Sequence, residues 1–91
     1  MRIERVHSHF HESRIKHGLV TVDIARSVAA HRRSIVFPPR RRDGRVEVFG
    51  YYPPLEVWVL VIVNPGYELF NAYAEWNHKE EIRRRLDKQR R

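Results

Sequence analysis

Val57-Trp58-Val59-Leu60-Val61-Ile62-Val63 is the longest apolar run in the chain. Its β-branched residues favour extended backbone. Alternate side chains of a strand point to opposite faces, so Val57, Val59, Val61 and Val63 lie on one face and Trp58, Leu60 and Ile62 on the other. A strand that is apolar on both faces must be central and covered on both sides, by helices or by a second subunit. Seven residues fall well short of the ~20 that a membrane-spanning helix needs.

Working outward, Asn64-Pro65-Gly66 is a tight turn, after which Tyr67 to Tyr73 returns as a strand with Leu69 and Phe70 on opposite faces. Upstream, Gly50 and Pro53-Pro54 separate the central run, starting at Leu55, from a strand at Val46-Glu47-Val48-Phe49. Arg40-Arg41-Arg42-Asp43-Gly44-Arg45 is a basic loop with a turn signal at Asp43-Gly44, and Ser34-Ile35-Val36-Phe37 is a short strand ended by Pro38-Pro39. Links this short predict an antiparallel meander of three to four strands. Ile3, Val6 and Phe10 have helical spacing, which predicts a first helix over 3–17 stopped by Gly18. Thr21 reads as the N-cap of a second helix running from Val22 to about His31, with Asp23 in its first turn. Asn77-His78-Lys79-Glu80 resembles a capping box opening a last, basic helix over 77–91. The expected fold is therefore α+β in one domain over 1–91: two N-terminal helices, an antiparallel three- to four-stranded sheet and a C-terminal helix.

Charge narrows the class of partner. Eighteen Lys+Arg against eleven Asp+Glu give a formal net charge of +7, and fifteen of the eighteen are arginine. Arginine meets phosphate with a planar fork of donors. The arginines cluster at Arg32, Arg33, Arg40, Arg41, Arg42 and Arg45, and again near the end of the chain, where Arg83 and Arg84 lead. Such stripes are the footprint of nucleic-acid binding, although a solvated basic surface has the same composition. The chain has no cysteine. That excludes disulfides and cysteine-bound zinc and fits a reducing cytoplasm. Met1 to Arg5 lack the apolar stretch of a signal peptide.

Metal-free RNA cleavage needs a base for the 2′-OH proton, an acid for the leaving oxygen and cations for the charged phosphorane. Lys16, His17, Arg45 and Tyr73 are plausible suppliers. His17 precedes Gly18, so it serves either as an acid/base in a groove or as a helix-end residue satisfied by the last carbonyls. His7, His9 and His11 have the look of a metal tract: on a helix His7 and His11 share a face and could chelate zinc, and on a strand all three align, but spacing indicates no third ligand elsewhere, and the plainer reading is a polar helical face. Tyr51 and Tyr52 at a loop are candidates for base stacking, whereas Trp58 belongs to the central strand. No metal or cofactor is expected.

The stretch Arg14-Ile15-Lys16-His17-Gly18-Leu19-Val20-Thr21-Val22-Asp23-Ile24-Ala25 resembles the opening of BrnT-type ribonuclease toxins, in the RelE/ParE-like group of the barnase–EndoU–colicin–RelE nuclease assemblage. Gly44 to Gly50, the run 57–63 and Leu69-Phe70-Asn71-Ala72-Tyr73 resemble the sheet of those proteins, so the resemblance covers roughly residues 12 to 76. It implies a metal-independent endoribonuclease of toxin–antitoxin type, a hydrolase in the broad sense, working by 2′-OH transesterification. Lys16 and His17 match the motif, and Arg45 stands where a second-strand arginine would face the cleft. Such toxins usually carry an arginine on the last strand, where this chain has Asn71-Ala72-Tyr73-Ala74. The resemblance then passes that task to Asn71 and Tyr73. It also implies an acidic antitoxin protein over the basic cleft. Two other readings fit the same residues: a non-catalytic RNA- or DNA-binding module, and an oligomeric interaction protein.

Overall fold

The computed structural model describes residues 1–10 and 20–74. In chain order its elements are β1 (Arg5–Val6), α1 (Val22–Ala30), β2 (Ile35–Val36), β3 (Val46–Tyr52), a 3-10 turn at Pro53–Leu55, β4 (Val57–Asn64) and β5 (Glu68–Ala74). The five strands form one sheet in the order β1-β5-β4-β3-β2. β4 is the middle strand, paired antiparallel on both sides.

Both faces of β4 find cover within the chain. Val57, Val59, Val61 and Val63 pack with Val48, Leu69 and Ala72 beneath Ile24, Ala25, Val28 and Ala29 of α1, joined by Ile3, Phe10 and Val20. On the opposite face Phe37, Phe49 and Leu60 form a second buried cluster flanked by Trp58 and Tyr73. Thr21 caps α1 as its position suggests, its hydroxyl accepting from the Ile24 N–H at 3.2 Å.

The expected layout of helices and strands is corrected in two respects. The sheet has five strands rather than three or four, and it is mixed, because β1 runs parallel to β5. The segment expected to open the first helix is instead that strand, and the chain turns helical only at Ser8. Ile3, Val6 and Phe10 fit a helical stripe, but the open edge of β5 offers the backbone better partners. Glu4 N–H donates to the Tyr67 carbonyl at 2.9 Å and His7 N–H to the Leu69 carbonyl at 2.8 Å. An unpaired sheet edge presents a full row of such groups, and that outweighs a three-position pattern. The short strand β1, followed by helical residues from Ser8, therefore stands where a first helix starting at residue 3 was expected. The expected C-terminal helix over 77–91 lies outside the described residues.

A one-residue slip between β4 and β5 sets the geometry of the site. Ile62 pairs with Asn71 and Val63 with Leu69, so Phe70 is the extra residue of a bulge. Bulges re-aim side chains and bend the strand locally.

Gly50 marks the tightest contact between layers. A Cβ there would stand 2.1 Å from the Ser34 hydroxyl oxygen and 3.0 Å from both Ser34 Cβ and a Val28 methyl. Gly50→Ala is expected to cost about 1–3 kcal/mol through overpacking, seen as a lower denaturation midpoint. An unchanged midpoint would mean that Ser34 and α1 yield without strain.

Candidate functional site

Arg45 enters β3 from a short ordered loop. The Arg40 N–H donates to the Arg45 carbonyl and the Gly44 N–H to the Arg40 carbonyl, each at 2.9 Å. The Asp43 carboxylate accepts from the Arg45 N–H at 2.9 Å, and Gly44 takes a φ of 70°, which glycine adopts without steric cost. The Arg45 side chain is held at several points. Its Nε donates to Asn64 Oδ1 at 2.9 Å, and Asn64 Nδ2 in turn donates to Glu68 Oε1 at 2.9 Å. Its Nη1 lies 3.5 Å from Asp43 Oδ2. The guanidinium carbon sits 3.7 Å from the centroid of the Phe70 ring.

Phe70 also carries histidine. The His9 ring stacks on it with centroids 4.4 Å apart and planes within 7° of parallel. His7 lies 5.4 Å from the same ring, tilted by 52°. At these distances one face of a phenyl ring has room for only one of the two stacked groups. Arg45 and His9 therefore lie on opposite faces, with Phe70 sandwiched between them. The His9 backbone N–H donates to His7 Nδ1 at 3.0 Å, so a neutral His7 carries its proton on Nε2.

Asn71 lies opposite Ile62 and Tyr73 opposite Leu60. Asn71 Oδ1 accepts from the Ala72 N–H at 2.9 Å. Tyr73 packs beside Phe37, Phe49 and Leu60. Arg45, Asn71 and Tyr73 thus stand along the sheet face opposite α1.

The expected binding arginines divide into separate groups. Arg40 is bound to Glu47, its Nε and Nη2 both donating to Oε1, and Asp43 lies 4.0 Å from its Nη1. The hydrogen bonds to Glu47 raise its pKa above the usual guanidinium value. Burial opposes that rise, and the nearby charges of Glu47, Asp43 and Tyr73 add to it. Arg40 therefore keeps the buried Glu47 compensated. Arg41 and Arg42 are exposed at the loop tip, while Arg32 and Arg33 are exposed just after α1, at the other end of the sheet. Lys16, His17, His11, Arg83 and Arg84 lie outside the described residues. Among the described residues no group of three or more His, Asp or Glu could hold a metal ion, and no helix is long and apolar enough to cross a membrane.

No family model, curated protein or solved structure matches this chain. The likeness to BrnT-type toxins rests on its own motifs. The stacked role of His9 was not legible from the alternating His7-x-His9-x-His11 pattern, because the partner ring is set by a bulge that sequence spacing does not reveal. The one signal was a histidine at every second position, a pattern that suits strand as well as helix.

Proposed function

We propose that this protein is a metal-independent endoribonuclease, with Arg45 holding the scissile phosphate and His9 handling the proton. The observation that carries this reading is the sandwich of His9, Phe70 and Arg45. It brings a titratable ring and a braced cation from distant parts of the chain to the two faces of one ring.

In the proposed reaction His9 takes the proton of the 2′-OH as that oxygen attacks phosphorus. The bond from phosphorus to the 5′-oxygen breaks, and the 5′-oxygen leaves with a proton. Solvent water supplies it, because the His7 Nδ1 is already engaged as an acceptor by the His9 N–H. Arg45 stabilises the extra negative charge on the phosphorane. Asn71 and Tyr73 stand along the same face, where they would orient the strand.

The test is incubation of the protein with RNA in EDTA, beside His9→Ala. Loss of a positioned acid/base typically lowers the rate by about 10²–10⁴-fold, so the variant should leave the RNA essentially intact. Equal cleavage by the variant, or none by the unaltered protein, would sink the reading. RNA binding without cleavage, weakening steeply between about 50 and 200 mM salt, would leave a nucleic-acid-binding module in its place.

A further inference from the structure

At the other end of the same sheet face lies a cleft of about 400 Å³, lined among the described residues by His31, Arg33, Ser34, Tyr51, Pro53 and Trp58. Its volume is within the range of about 300–1,000 Å³ found for small-ligand sites. Its walls are flat and braced. The Trp58 indole stacks on buried Phe49, with centroids 5.0 Å apart and planes within 16°. Tyr51 stands 5.3 Å from the indole at 58°, so the two rings make a corner, and Tyr51 is 41% exposed. Pro53, at the start of the 3-10 turn, adds a rigid third wall.

The rim is cationic. Arg33 is exposed, and its backbone N–H donates to His31 Nδ1 at 3.1 Å. A neutral His31 therefore carries its proton on Nε2 and offers a donor. Aromatic walls beside an arginine and an imidazole donor suit a planar ring that bears an anion.

We propose that this cleft is a nucleotide subsite: a base stacks in the corner of Trp58 and Tyr51, and its phosphate meets Arg33 and His31. The proposal rests on the RNA reading above, because it takes the ligand to be a nucleotide of the strand that reaches Arg45. Tyr51 lies about 20 Å from Arg45 along β3 at ~3.3 Å per residue. The subsite would therefore hold a base several nucleotides from the cut and select where the strand is cleaved. Stacking is tolerant of base identity.

The test uses adenosine 5′-monophosphate. In a Trp76→Phe background Trp58 is the remaining tryptophan, so its fluorescence reports the cleft. If that variant does not fold, the Trp58 indole N–H resonance of the unaltered protein serves instead. The nucleotide should give a saturable response, and inorganic phosphate or N-acetyltyrosinamide should not. Tyr51→Ala should weaken nucleotide and adenosine alike, by roughly tenfold. Arg33→Ala should weaken the nucleotide by roughly tenfold and leave adenosine unchanged. No response to the nucleotide, a response indifferent to Tyr51, or an equal response to N-acetyltyrosinamide would overturn the proposal. Cleavage of RNA without a nucleotide response would overturn the subsite alone, whereas a Tyr51-dependent response without cleavage would support it and remove the nuclease reading.

Discussion

Arg45→Ala should lower RNA cleavage by about 10²–10³-fold, the loss typical of removing one group that stabilises transition-state charge. Arg45→Lys should recover little. Lysine has no planar fork, so it cannot keep the bond to Asn64 while lying over Phe70 and still offer a donor to phosphate. Stability should change by less than about 1 kcal/mol, because the side chain is partly exposed and its ion pair is a surface one. Single-turnover rates on a labelled RNA, read beside thermal midpoints, separate the two effects. An Arg45→Ala protein that cleaves at the normal rate would remove Arg45 from the chemistry.

Phe49→Ala should destabilise the fold by about 3–5 kcal/mol. The ring is 2% exposed and anchors the second core cluster with Phe37 and Leu60. It also backs the Trp58 indole, so its loss should loosen the aromatic corner as well as the sheet. A domain of this size has roughly 5–15 kcal/mol in hand, so the variant should be near its unfolding threshold at moderate temperature. Phe49→Leu, which fills most of the space, should cost much less. Denaturant titration checks the order. Equal midpoints for the alanine and leucine variants would mean that the cluster packs loosely.

How much of this was readable in advance depended on whether local chemistry or a distant partner set each element. The run 57–63 could only be a buried strand, and β4 follows it. Thr21 and Asp23 mark the start of α1 through local bonding and charge, which spacing reveals. β1 was hidden because two residues become a strand only when the edge of β5 is there to pair with, and Ile3, Val6 and Phe10 also satisfy a helical stripe. The bulge at Phe70 was hidden for a similar reason. Nothing in Leu69-Phe70-Asn71 announces a slip, yet that slip fixes which ring Arg45 covers. At the site, Arg45 was singled out as a cation of the basic loop and through the resemblance to BrnT-type toxins, and Asn64, Asp43 and Phe70 brace it in the structure. His9 could be suspected as one of a histidine tract, but its partner could not. The aromatic corner of Tyr51 and Trp58 combines a residue suspected of stacking with one assigned to packing. Cross-strand pairing places Tyr51 directly opposite Trp58.

The most direct measurement is the chemical identity of the 3′ end left on RNA cut in EDTA. Attack by the 2′-oxygen predicts a 2′,3′-cyclic phosphate on the upstream fragment and a 5′-hydroxyl on the downstream one, formed by the unaltered protein and lost in His9→Ala and Arg45→Ala. Intact RNA, or fragments that end in a 3′-hydroxyl, would contradict the proposed function.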